Sequence, residues 1–355
     1  MRWLARVPAS VFSAVRRFLS NRWFRPTAVA LLLIVGVAYT YLQAPVLWFV
    51  HLEPPLIAAP TSASGERLLI IAPHPDDDVL AVGGEMAVAA SRGDSVLVVY
   101  LTSGDANIAG KRLITMTPFL SSRSFRALGE RRQKEAVLAL GRLGIAATSA
   151  VFLNYPDQGL MDLVIRNWST ETPYRSRFTK RDAKYSDDAF HPGSTYCGEN
   201  VLADLVEIVE TYRPTVIYVP HPSDRHPDHS AGYFLATLAV QTALAVDSGA
   251  APHEVLCYLT HSRDHPWPAP RGIGPKREFD FPPALLNLDA WTSVQLPPWS
   301  VRKKLDAIEG HLSQWWTSGQ TMESYARSNE VFMVVSIEPF AAVPHWPTAL
   351  APGNL

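Results

Sequence analysis

The chain reads as an α/β protein: a mostly parallel sheet with helices on both faces, preceded by one N-terminal transmembrane helix. Three observations predict this. Short, continuously apolar runs alternate with longer helical patterns from Arg67 onward. Polar clusters follow several of those runs at their C-terminal ends, and one long uncharged stretch stands apart near the N-terminus.

The N-terminal stretch comes first. Residues 1–26 carry six arginines (Arg2, Arg6, Arg16, Arg17, Arg22 and Arg25) and no acid, and residues 27–50 then run for 24 positions without a charge. Such a run is long enough to span a bilayer as a helix. Trp48 and Phe49 fall where an aromatic belt would sit, and the stretch up to Glu66 holds only acidic charges. Basic before and acidic after predicts a single-pass protein with its N-terminus in the cytoplasm and the following domain outside it. The alternative leaves that domain in the cytoplasm. A cleaved signal peptide and a buried core helix compete with the anchor, but the basic lead is long for a signal peptide and no clear cleavage site follows.

The charge balance then divides. The whole chain has 355 residues, 32 Lys plus Arg against 33 Asp plus Glu, and a formal net charge of -1. Taking the +6 of residues 1–26 from -1 leaves -7 for the remainder. No basic surface for phosphate contacts is implied, so nucleic acid is excluded as the first partner to consider. The cysteines, Cys197 and Cys257, are too few for a disulfide scaffold and lack zinc-finger spacing. They read as two independent buried thiols, and any metal must be held by His and carboxylate.

After a linker at 51–66, the runs at 67–73, 95–101, 149–155, 215–220 and 254–260 read as strands buried on both faces. Helical patterns occupy about 78–92, 123–143, 199–212 and 229–246. This alternation predicts a Rossmann-like parallel sheet. A strand TSVQL, a helix at 299–316 and a strand VFMVVSI close the domain, which extends over 67–340 and leaves a tail at 341–355. An insertion at about 161–197 breaks the rhythm. Its mixed charges suit either a lid or a solvated loop.

Chemistry concentrates at two strand ends. Pro73-His74-Pro75-Asp76-Asp77-Asp78 follows the first strand, and His226-Pro227-Asp228-His229 follows the strand at 215–220. In open α/β sheets ligands bind beyond the C-terminal strand ends. Two imidazoles and a carboxylate make a normal ligand set for a catalytic zinc, and Fe(II) suits the same donors. His74, Asp77 and His229 can form that set, leaving Asp76 free to take a proton from water and His226 free to act on an oxyanion or a leaving amine. Either cluster alone is also a plausible helix cap, Asp76–Asp78 for one helix and Asp228 for the next. Both together at equivalent strand ends favour a site.

These motifs resemble the PIG-L/LmbE-like zinc-dependent N-deacetylases, which include N-acetylglucosaminyl-phosphatidylinositol de-N-acetylases and the deacetylases of mycothiol and bacillithiol synthesis. The resemblance runs from Arg67 to Gln314 through Gly83-Gly84, TSGD after the second strand, an Arg-x-x-Glu ending in Leu-Gly, YPDQGL, and HLSQ at 311–314. It implies His74, Asp77 and His229 as zinc ligands, Asp76 as general base and His226 as oxyanion or leaving-group partner, with Asp228 orienting His226. Arg132 and Asp157 fall where family members contact substrate. The implied reaction removes acetyl from an N-acetylated amino sugar or glycoconjugate. One departure is Asp78 where the family usually has Glu, which puts any hydrogen bond of that carboxylate in doubt.

His191, His253, His261, His265 and His311 have no partner spacing and read as ordinary surface or core residues. Trp267, Trp291, Trp299, Trp315 and Trp316 suit either packing or a sugar platform. The orientation has a direct test: a reporter that works only outside the cytoplasm, fused after Leu355, is expected to be active. Activity confined to the cytoplasm reverses the assignment.

Overall fold

A computed structural model describes residues 65–108, 121–247, 251–262, 277–282 and 290–335, with isolated positions at 33, 249, 268 and 285. Apart from Leu33, the expected anchor at 27–50 lies outside the described residues, as does the tail at 341–355. Among the described residues no helix is long and apolar enough to cross a membrane. The chain divides into the units Met1–Leu56 and Ile57–Leu355, and the architecture below is that of the second.

Among the described residues seven strands form one sheet: β1 (Arg67–Ala72), β2 (Ser95–Thr102), β3 (Ala150–Tyr155), β4 (Val216–Pro220), β5 (Glu254–Tyr258), β6 (Trp291–Gln295) and β7 (Asn329–Val335). Their order is β3-β2-β1-β4-β5-β7-β6. The first five are parallel, and β7 pairs antiparallel with β5 and β6. The continuous apolar runs are explained by this arrangement, since β1 and β4 lie at the centre with nearly every residue buried.

Helices cover both faces. One layer holds α1 (Asp77–Arg92), α2 (Ser122–Leu143) and α6 (Pro298–Glu309); the other holds α3 (Leu160–Ile165), α4 (Gly198–Tyr212) and α5 (Pro227–Val246). A further helix, α7 (Leu312–Glu323), packs on α6 and α2. Ser121 caps α2 by accepting from the Ser124 amide. Gly144 ends the same helix at φ 92°, a left-handed conformation that glycine adopts without strain.

The helix expected at 299–316 is two helices. Gly310 and His311 separate α6 from α7, and the cause is tertiary. The carboxylate of Glu135 on α2 accepts from the Ser313 amide at 3.1 and 3.2 Å and from its hydroxyl at 2.6 Å. An anion at a new helix N-terminus favours restarting the helix there.

The insertion is solvated along most of its charged residues, with Arg175, Arg177, Lys180, Arg181, Asp182, Asp187 and Asp188 exposed. Its start forms α3, and its later part runs along the edge strand, where the Phe190 amide donates to the Phe152 carbonyl at 2.8 Å. Lys184 is fully buried against Asp204, which also accepts from the Tyr155 hydroxyl at 2.7 Å. Cys197 and Cys257 are both buried and are not joined by a disulfide, as expected. Trp315 is buried, Trp291 stacks on His221 and Trp299 carries Lys303 over its ring, so these three serve packing.

A buried ion pair ties the antiparallel edge to the first helix. Glu330 of β7 accepts from Lys304 of α6 at 2.6 Å and from the amides of Gly84 and Glu85 at 2.8 and 3.0 Å. Glu330→Ala leaves the Lys304 ammonium buried without its counter-charge, and chemical denaturation should show a loss of about 3–5 kcal/mol. A loss below about 1 kcal/mol, that of a surface pair, contradicts this role.

Candidate metal centre and active site

The strand order reverses between β1 and β4, the neighbours that carry the two histidine motifs. That reversal opens a crevice at the C-terminal ends. His74 to Asp78 leave β1, Asp105 follows β2, Asp157 follows β3 and His221 to His229 leave β4. The crevice holds a cavity of about 360 Å³ lined by His74, Asp76, Asp77, Arg132, Asp157 and His226. Beside it lies a wider one of about 580 Å³, bounded by Asp76, His226, Thr260, His261, Gln314 and Tyr325.

Asp77 is the centre of the cluster. Its Oδ2 lies 3.1 Å from His74 Nδ1 and 3.1 Å from His229 Nε2. Donor atoms each about 2.0–2.2 Å from one zinc ion stand roughly 3–3.5 Å apart, so this spacing suits a shared ion. Among the described residues, the His229 nitrogens and His74 Nε2 are buried and face carboxylate oxygens at 3.1–3.4 Å without well-aligned hydrogen bonds. Asp77 thus touches both expected histidine ligands, and the three side chains carry the donor types that a zinc ion takes. His226 also has a nitrogen near those of His74 and His229, but its Nδ1 accepts the Asp228 amide at 3.2 Å.

Each histidine ligand is backed by carboxylates. Asp224 Oδ2 lies 3.2 Å from His229 Nδ1, and Asp157 and Asp228 each lie 3.4 Å from His74 Nε2. Such partners fix the ring orientation and raise the basicity of a metal-binding imidazole. The charges follow. Burial works against a charged His229, yet Asp77 and Asp224 outweigh it and raise its pKa to about 10. Burial alone would raise Asp157, but the hydrogen bond and charge of His74 hold it at about 2.

Asp76 has the position of a base. Its carboxylate borders both cavities and accepts from Arg132 Nη2 at 2.9 Å. It does not cap α1, because no side-chain cap bond exists there. Burial raises its pKa while the Arg132 charge lowers it. Arg132 was expected to meet substrate. It borders the smaller cavity but is only 4% exposed, and its Nη atoms are engaged with Asp76, the Gly104 carbonyl at 2.8 Å and the Pro75 carbonyl at 3.3 Å. The geometry makes it a support for Asp76. Gly104 of the TSGD segment permits this, since at φ 62° its Cβ would lie 2.0 Å from Arg132 Nη1.

Asp157 likewise backs the site: it faces His74 and accepts the Ala106 amide at 2.7 Å. Asp228 does orient His226, but through its backbone amide. Its carboxylate instead accepts the amides of Gln158 at 2.7 Å and Leu160 at 3.1 Å. Burial, then the neighbouring histidines, lower His226 to about 3, so its ring is neutral. With Nδ1 acting as acceptor, Nε2 carries the proton and can donate into the crevice. Asp78 is pushed up to about 7 by burial, and despite its shorter side chain it accepts from the Tyr100 hydroxyl at 2.8 Å.

Two residues escaped the sequence reading. Asp224 stands two positions before His226, and the only signal was its place beside the motif. It accepts the amides of His226, Thr260 and His261 at 2.8, 3.0 and 2.8 Å, joining the β4 loop to the end of β5. His261, expected to be an ordinary residue, borders both cavities. Asp224→Asn removes the negative charge behind His229, and competition with a chelator should show zinc affinity lowered roughly 10–100-fold. Unchanged affinity contradicts the backing role.

Known proteins are similar to this chain over the stretch that carries the two motifs. Residues 69–240 match the family model described as PIG-L: GlcNAc-PI de-N-acetylase. A 1D-myo-inositol 2-acetamido-2-deoxy-alpha-D-glucopyranoside deacetylase 1 from Catenulispora acidiphila is 31% identical over 201 residues, covering 55% of this chain and 53% of that protein. The chain therefore spans about half the length of that relative. A deacetylase of the same description from a Nocardioides species is 26% identical over 285 residues, or 75% of this chain and 88% of that one. Among solved structures, the N,N'-diacetylchitobiose deacetylase of Pyrococcus horikoshii is 21% identical, covers 80% of this chain and 89% of its own, and has a TM-score of 0.46. Over residues 69–240, which carry both histidine motifs, the chain is similar to the PIG-L: GlcNAc-PI de-N-acetylase family.

Proposed function

We propose that this protein removes the acetyl group from an N-acetylglucosamine-type sugar carried on a lipid-linked or envelope glycan. The observation that carries the reaction is the shared Asp77 oxygen between His74 and His229, with Asp76 and His226 free beside it. Relatives named as deacetylases of a 2-acetamido-2-deoxy-glucopyranoside support the sugar class. The arginine-led apolar stretch at 27–50 supports membrane anchoring with the domain outside the cytoplasm, and hence an envelope substrate.

His74, Asp77 and His229 would hold the zinc. When bound, it supplies Lewis acidity, polarising the amide carbonyl and making water easier to deprotonate. Asp76, held by Arg132, accepts the proton of the attacking water and later returns it to the leaving nitrogen. His226 Nε2–H donates to the oxygen that gains negative charge. Acetate and a free amine leave. A glycan-binding protein without turnover has no need of a carboxylate placed as Asp76 is, latched by a buried arginine.

Full-length protein in detergent, incubated with lipid-linked and envelope glycan fractions, should generate free amine and acetate. Asp76→Ala is expected to retain zinc and lose roughly 10²–10⁴-fold in turnover, whereas His74→Ala should lose zinc. Near wild-type turnover by Asp76→Ala removes it from the base role.

A further inference from the structure

Two histidines border the crevice in opposite hydrogen-bonding states. His226 accepts at Nδ1 from the Asp228 amide at 3.2 Å, which leaves Nε2 as an N–H donor. His261 is held the other way. Its Nδ1 lies 3.3 Å from Asp224 Oδ1, and its own amide donates to Asp224 Oδ2 at 2.8 Å. A carboxylate that already accepts three backbone amides has only acceptor capacity to offer, so the His261 proton belongs on Nδ1. Nε2, on the opposite edge of the ring, keeps its lone pair.

The ring is also placed for use. It stands nearly perpendicular to His229 at 4.7 Å between centroids and lies 5.5 Å from His226. Its side chain is 44% exposed, and it borders both cavities. The backbone around it is fixed, since the Arg225 amide donates to the His261 carbonyl at 2.8 Å. A donor and an acceptor therefore flank the metal ligand His229.

A secondary amide is complementary to such a pair. It presents a carbonyl oxygen that accepts and, trans to it, an N–H that donates. An ester of the same shape keeps the carbonyl and lacks the N–H. We propose that His261 is a specificity-determining residue, accepting a hydrogen bond from the N–H of the acetamide and so selecting N-acetyl over O-acetyl sugars. His226 serves the oxygen, which both substrates share; His261 serves the nitrogen, which only one has. An ester places an oxygen lone pair against the Nε2 lone pair, and that mismatch is the source of discrimination.

The inference rests on the reading of the protein as an N-deacetylase, and the two are separable by experiment. Acetate release from methyl 2-acetamido-2-deoxy-glucoside and from methyl 2-O-acetyl-glucoside gives a ratio of kcat/KM values. In His261→Phe the preference for the amide should fall roughly ten- to hundredfold. His261→Gln, whose side-chain oxygen can still accept, should recover part of it. General damage to the site lowers both rates and leaves the ratio alone, so an unchanged ratio in His261→Phe overturns the assignment. Binding of the same two sugars to zinc-loaded Asp76→Asn, with and without His261→Phe, reads recognition without turnover. If the wild-type protein hydrolyses neither sugar, the deacetylase reading falls and the binding ratio alone decides for or against His261.

Discussion

The molecule is organised around one buried oxygen. Asp77 Oδ2 stands at the same distance, 3.1 Å, from a nitrogen of His74 and a nitrogen of His229. It also accepts the His74 backbone amide at 2.9 Å. These donors come from loops more than a hundred positions apart in sequence, brought together because β1 and β4 pair in parallel at the centre of the sheet. The constraint propagates outward. A compact buried donor set of this kind is stable only with its charges matched, and the surrounding carboxylates and arginine are placed to match them.

That matching has a layered form. Behind His229 lies Asp224; behind His74 lie Asp157 and Asp228; behind Asp76 lies Arg132. Each supporting group is fixed in turn by backbone. Asp224 accepts three amides, Asp228 two and Asp157 one, while Arg132 donates to two carbonyls. Because those amides belong to loops after β2, β3, β4 and β5, the same bonds that orient the groups of the site also set the positions of the loops. Rigidity of the site and closure of the strand ends are one property.

The site motifs were legible because they are local. His74, Asp76 and Asp77 fall within one turn, and His226, Asp228 and His229 within another. The expectation that they act as ligands and base comes from residue type and position after a strand. The supporting roles were less legible. Arg132 and Asp157 resembled substrate contacts, yet their polar atoms face Asp76 and His74. Asp228 was expected to orient His226, and the bond between them is made by its backbone amide. Spacing identifies which groups are present; it does not say which atom of each group meets which neighbour.

By itself the sequence determined the alternating α/β plan, the two motif clusters at strand ends and the charge division between an arginine-rich start and an acidic domain. Those features are written in periodicity and in contiguous residues. Only the tertiary structure decided the split of α6 from α7, which depends on Glu135 reaching Ser313 from another helix. It alone placed the insertion along the β3 edge, where Lys184 meets Asp204. It alone revealed Asp224 and His261 as members of the site, because a carboxylate after β4 and an imidazole after β5 become neighbours only when those strands pair. Such contacts join residues distant along the chain, and no local pattern encodes the distance between them.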